Sequence, residues 1–173
     1  MNKHFRKAVV FSGLLVAGAA SAGTETTTLN VTASVPGSCS ISTDPAAFGE
    51  IGGPSSPEVT ANGNVTVNCS VGTSFIIGMD QGQNHDGTFR AMKNPGGDLI
   101  RYIILKPGAS DHWGDNGIVG GNFPQSPVSG IGSGSDETIP FIAKANGSGM
   151  GTGLNTYTPN TSYSDTVTVT VQF

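Results

Sequence analysis

The chain has 173 residues, 26 of them glycine and 10 proline, and only 12% are charged, with 8 Lys and Arg against 12 Asp and Glu. That length suits one domain, and so few charges exclude a coiled coil. The glycines have no three-residue period, which excludes collagen, and the absence of a basic cluster argues against nucleic acid as a partner.

Residues 1–22 read as a signal peptide. Lys3, Arg6 and Lys7 form a positive start, residues 8–20 a short apolar run, and Ala20-Ser21-Ala22 a small-residue cleavage site. The alternative is a membrane anchor, for which the apolar run is short. No second apolar segment is long enough to cross a bilayer, so no direct membrane insertion is expected. The mature chain then starts at Gly23. Losing 3 of 8 cations and none of 12 acids leaves a net charge of −7, which disfavours anionic surfaces as partners.

Cys39 and Cys69 are the only cysteines. An exported chain keeps a disulfide, so their pairing is fixed if they pair. A loop of about 30 residues is worth roughly 3–4 kcal/mol by chain entropy. A metal site or a reactive thiol is the alternative, but no His pattern stands near them to support a metal.

No helical period runs through the mature chain; short apolar runs alternate with Gly, Pro, Asn and Asp. At the N-terminus Leu29, Val31, Ala33 and Val35 alternate with polar residues, and Pro36-Gly37 separates them from the segment starting at Ser38. Val65, Val67 and Cys69 alternate next. Residues 75–79 (FIIGM), 99–105 (LIRYIIL) and 139–145 (IPFIAKA) are denser runs fit for core strands, with Pro140 marking an edge or a strand start. Turns are expected at Asn62-Gly63, Asp86-Gly87, 95–97, Pro107-Gly108, Asn116-Gly117 and Asn146-Gly147. Residues 114–134, rich in Gly, Pro and Ser, read as one long surface loop. Residues 165–173 close the chain with Val167, Val169, Val171 and Phe173 on one face. Around seven short strands of this kind suggest a β-sandwich of immunoglobulin-like size.

Two readings of the terminal strands compete. Both could be ordinary strands of one closed sandwich. Alternatively, apolar alternation reaching the last residue leaves an uncovered edge that invites another chain, and the detached N-terminal strand is the complementary object.

The residues also resemble a known family. Cys39-Ser-Ile-Ser-Thr, Phe48-Gly49, VTVNCSVGTSFIIGMDQG (65–82), Arg90-Ala-Met, 102–105, Trp113-Gly-Asp, Ile139-Pro140 and YSDTVTVTVQF (163–173) are similar to the spore coat protein U domain. That family includes the pilus subunits of the archaic chaperone–usher pathway. The resemblance covers residues 39–173; residues 114–134 depart from it in length and glycine content. It implies an all-β, incomplete immunoglobulin-like sandwich completed by a donor strand from a neighbouring subunit. A periplasmic chaperone first fills the groove, and at an outer-membrane usher another subunit's N-terminal extension replaces it. Under this resemblance residues 23–37 are the donor extension and 38–173 the pilin domain. Leu29, Val31, Ala33 and Val35 are the donor side chains, and Val167, Val169, Val171 and Phe173 lie on the strand bordering the acceptor groove. Cys39 and Cys69 match the family's disulfide. The expected partners are other copies or related pilus subunits, a chaperone and an usher. The expected location is a cell-surface fimbria reached through the periplasm, serving adhesion or biofilm formation.

Other chemistries are weaker. The loop 80–87 around His85 partly resembles a calcium loop, but Gly82 stands where the first acid belongs and Lys93 where the closing Glu belongs; a solvated hairpin loop is the plainer reading. Residues 132–136 match one copy of a calcium-binding repeat, and one copy cannot stack. No phosphate-loop, nucleophile-elbow or zinc-protease motif occurs, so neither enzyme activity nor a cofactor is expected. In Asp111-His112-Trp113-Gly114-Asp115, the indole could stack on a sugar or anchor the core. The candidates are thus a fimbrial rod subunit, a secreted spore-coat or matrix protein, and a carbohydrate-binding adhesin module.

Overall fold

The computed structural model describes residues 22–53, 56–108, 110–118, 123, 125–145 and 157–173. The expected signal peptide, except Ala22, and the expected turn at Asn146-Gly147 lie outside them. Met1–Ser34 and Val35–Phe173 form separate units. In the first, residues 22–34 belong to no strand and are exposed.

The second unit holds eight strands: β1 Cys39–Thr43, β2 Val59–Cys69, β3 Ser74–Met79, β4 Arg90–Lys93, β5 Leu99–Leu105, β6 Val128–Ile131, β7 Glu137–Ala145 and β8 Val169–Gln172. They form a five-stranded sheet, β1-β2-β7-β5-β4, and a three-stranded sheet, β6-β3-β8. Every strand pair is antiparallel. No helix occurs among the described residues. Inward side chains from both sheets build the core, with Val65, Val67 and Phe141 from one sheet and Phe75, Ile77 and Met79 from the other. Alternation explains the pattern: along β2, Val65, Val67 and Cys69 are buried while the residues between them are not.

Three local expectations are corrected. Asn62-Gly63 is no turn but lies inside β2, opposite Ile142 and Phe141. A Cβ on Gly63 would overlap the Phe141 ring, so the glycine leaves room for an aromatic cover. Gly130 does the same in the other sheet, opposite Phe75, where a Cβ would meet the ring at 2.5 Å. Gly130 sits on β6, so residues 114–134 are not one loop; they contain a strand. Pro140 neither starts β7 nor lies on an edge strand. It pairs with Asn64 of β2, and β5 reaches β7 only from Ile142 onward, so the missing N–H falls where β7 is paired on one side.

The turn at Asn116-Gly117 is present. Both residues take positive φ, 45° and 83°, and Ile118 N–H donates to Asp115 C=O at 2.9 Å, the geometry that favours Asn-Gly. Replacing Gly63 by Val should displace Phe141 and cost on the order of 1–3 kcal/mol. A lowered urea midpoint of the oxidised domain checks this.

Candidate interaction groove

The groove begins with two edges. β1 ends the five-stranded sheet and β8 ends the three-stranded one. The two strands lie near each other, yet no ladder joins them. The sandwich is therefore open along one seam.

The C-terminal wall of that seam follows from strand alternation. Ser164 exchanges backbone hydrogen bonds with Lys93 at 2.9 and 3.1 Å. Thr166 C=O accepts from Gln83 N–H at 3.1 Å, and Thr168 C=O accepts from Asp80 N–H at 3.0 Å. Beyond them Thr170 and Gln172 pair with Gly78 and Ile76. The even-numbered residues thus direct their backbone groups to Lys93, to the loop after β3 and to β3 itself, and Val167, Val169 and Val171 turn their N–H and C=O groups toward the seam. The side chains of these valines are half-buried against the core. Phe173 is 60% exposed.

Behind the edge lies a cavity of about 400 Å³. One wall is 43–46 with Phe48 and the other is 163–167 with Val169. Its floor is Met79, Met92, Tyr102, Ile104 and Phe141, all members of the hydrophobic core. The interior of the sandwich is thus reached from the side. A second cavity of about 930 Å³ lies between 46–53 and 157–163, over Met92 and Ile100.

Polar side chains fix the wall. Asp165 Oδ2 accepts from Tyr102 Oη at 2.6 Å, and its Oδ1 accepts from Gln83 and Asn84 N–H at 3.0 and 3.1 Å. Asp80 Oδ1 accepts from Thr168 N–H and Gly82 N–H, both at 2.9 Å. Gly82 has φ +78°, and a Cβ there would overlap the Asp165 carboxylate. Burial first, and then the bond to Asp165, push the Tyr102 hydroxyl pKa well above its ordinary value, so Tyr102 stays a donor. Farther along, Asn94 Nδ2 donates to Asp98 at 2.8 Å and to Tyr163 Oη at 3.3 Å, and Thr158 N–H donates to Tyr163 Oη at 2.8 Å.

Beneath the wall sits Arg90, fully buried. Its Nε donates to Asp80 C=O, and its Nη2 to Met79 and Trp113 C=O, each at 2.8 Å. The guanidinium lies 4.5 Å from the centre of the Phe123 ring. Burial lowers its pKa to about 10 against the raising effect of Tyr102, Asp80, Asp165 and Asp115; it stays charged at neutral pH.

Cys39 and Cys69 are bonded and stand directly opposite in the β1–β2 ladder, tying the β1 edge of the seam to the sheet. Of the donor residues named from sequence, Leu29, Val31 and Val35 are 86%, 84% and 94% exposed, and Ala33 is exposed as well. The other candidates fall into structural roles. Trp113 is fully buried and its Nε1 donates to Ile77 C=O at 2.9 Å, so no indole face is offered to a sugar. His85 Nδ1 accepts from Gly87 N–H at 3.1 Å. Asp86 accepts from Thr88 and Phe89 N–H, both at 2.9 Å, and pairs with Arg101. Asp136 accepts from Asn68 at 2.8 Å.

The sequence reading assigned no role to Arg90, Asp80, Tyr102 or Asp165. A lone Arg between Phe89 and Ala91-Met92, in a run otherwise apolar, was the available signal for the first. Nothing local gives the other three their roles, because Asp80 reaches Thr168, and Asp165 reaches Tyr102, Gln83 and Asn84, from distant parts of the chain.

The Spore Coat Protein U domain matches residues 25–170 of this chain. No curated protein matches. Among solved structures, the chain is similar to one in the crystal structure of the CsuC-CsuE chaperone-tip adhesion subunit pre-assembly complex from archaic chaperone-usher Csu pili of Acinetobacter baumannii. The TM-score is 0.55 and the identity 24%; the match covers 80% of this chain and 40% of that one. The chain spans well under half the length of that relative, and the likeness is one of fold, an immunoglobulin-like sandwich left incomplete at one seam.

Proposed function

Because this chain belongs to the Spore Coat Protein U domain family, a structural rather than enzymatic one, we propose that it is a pilin of an archaic chaperone–usher fimbria that polymerises by donor-strand exchange. One observation carries this reading: core residues form the floor of an open groove between two unpaired strand edges, while the same chain carries an exposed apolar alternation at Leu29, Val31 and Val35.

The physical logic is that of a missing strand. Each apolar side chain moved from water into the groove contributes roughly 1.5–3 kcal/mol. An added strand also satisfies the edge of β8, at roughly 0.5–1.5 kcal/mol per hydrogen bond. When each copy donates to the next, the contact is head-to-tail, and a rotation that does not close generates a filament. In this scheme residues 1–22 are the export signal, 23–37 the donor and 38–173 the acceptor domain. Leu29, Val31, Ala33 and Val35 enter the groove bordered by Val167, Val169, Val171 and Phe173. A periplasmic chaperone covers the groove during transit, an outer-membrane usher exchanges it for the next subunit, and the fimbria supports adhesion or biofilm formation at the cell surface.

The adhesin alternative rested on an exposed Trp113, and the indole is fully buried. A secreted coat protein using the same strand exchange differs only in the length of the assembly. Electron microscopy of cell-surface material, with a photo-cross-linker at position 31, tests the proposal. Filaments whose protomers are joined from position 31 to position 169 of the next copy are the expected result. Cross-links only within single chains, with no filaments, would overturn it.

A further inference from the structure

We propose that Asp165 is a positioning residue for strand acceptance, acting with Tyr102 and Asp80 to hold the groove wall extended before a donor arrives; this rests on the donor-strand reading above. Residues 165–168 lie outside β8, yet Asp165, Thr166 and Val167 line the groove. Their backbone is tied to the loop after β3 through the carbonyls of Thr166 and Thr168, and side chains supply the rest.

Asp165 shares the inward parity of Val167, Val169 and Val171. A carboxylate there would be costly among apolar neighbours unless its oxygens were satisfied, and they are. Tyr102, itself buried on β5, donates from the five-stranded sheet at 2.6 Å. Gln83 and Asn84 donate from the loop beside the three-stranded one. One carboxylate thus fastens both sheets to the wall at the head of the groove. Asp80 adds the Thr168 N–H at 2.9 Å, which orients the backbone of Val167 between the two anchors. With both anchors made, the wall's free N–H and C=O groups stand in strand geometry before a donor binds. Without them, the donor must order the wall as it binds, and ordering costs affinity.

The test uses the full chain, oxidised, and a fluorescent peptide of residues 23–37. Wild type should bind the peptide. Tyr102→Phe keeps the buried ring and removes only the hydroxyl, so the peptide should dissociate about tenfold faster. Amide exchange at Gln83 and Asn84, whose N–H groups Asp165 accepts, should rise in the unliganded variant, while exchange in β2 and β7 stays as in wild type. Asp165→Asn, which loses the charge, should behave likewise. Peptide dissociation unchanged in Tyr102→Phe, or uniformly faster exchange across all strands, would overturn the positioning role while leaving donor-strand exchange standing. Failure of wild type to bind the peptide would overturn both.

Discussion

Fibre growth should be abolished when Val31 is replaced by Asp, while the variant still folds, forms its disulfide and is held by the chaperone. Val31 is 84% exposed and belongs to no strand, so the substitution removes no packing from the sandwich. In the donor-strand scheme that side chain must enter a groove floored by Met79, Met92, Ile104 and Phe141. The variant gives up the burial of a valine, roughly 1.5–3 kcal/mol. It also brings a carboxylate into apolar surroundings, a penalty of several kcal/mol even after relaxation. Together these amount to about three to four powers of ten in affinity. Sedimentation of filaments after export, set against chaperone co-purification, separates assembly from folding. Filaments of wild-type length from the variant would end the donor assignment for Val31.

Period-two patterning was legible in the sequence wherever one face of a strand is buried. The runs at 65–69, 75–79, 99–105 and 139–145 all became strands or parts of strands, because alternation is a local property. The disulfide was legible because the chain has two cysteines and so one possible pair. Asn62-Gly63 was misread because the dipeptide rule is local, whereas the reason for Gly63 is the Phe141 ring, which arrives from a distant strand. Residues 128–131 escaped for the same cause: Gly130 weakens a strand by propensity but lies beneath Phe75. The apolar edge at 167–171 could be seen, but not what stiffens it, because Asp165 is satisfied by donors from the loop after β3 and from β5.

The open seam also explains why its polar anchors matter more than their number suggests. An inner strand distributes its ordering over two neighbours. β8 has one, β3, and residues 165–168 have only the loop beside it. Side-chain hydrogen bonds from Asp80 and Asp165 therefore replace a missing ladder. The same loop is gripped from below by Arg90, through the carbonyls of Met79 and Asp80.

Loss of that grip is the largest destabilisation expected of any single side chain here. Arg90→Ala removes the only side chain bonded to the three carbonyls of Met79, Asp80 and Trp113 among the described hydrogen bonds. The Met79 and Trp113 carbonyls are left short of a donor in the buried interior, at about 1–3 kcal/mol each for a buried group without a partner, and the part-buried Asp80 carbonyl loses its bond as well. Arg90 Nη1 and the Oδ2 of Asp115, itself fully buried, carry no hydrogen bond, so the grip comes from Nε and Nη2 alone. Two buried carbonyls without a donor come to about 2–6 kcal/mol, a large part of a domain's total stability of about 5–15 kcal/mol. The void left under Phe123 adds to this. Arg90→Lys keeps the charge, but a single ammonium cannot reproduce a planar fork reaching two segments, so it should recover only part of the loss. Urea unfolding of oxidised wild type and Arg90→Lys, with the yield of soluble oxidised Arg90→Ala, measures the series. Equal midpoints for wild type and Arg90→Lys, together with a normal yield of Arg90→Ala, would show that the carbonyls find other donors and that Arg90 does not hold the loop.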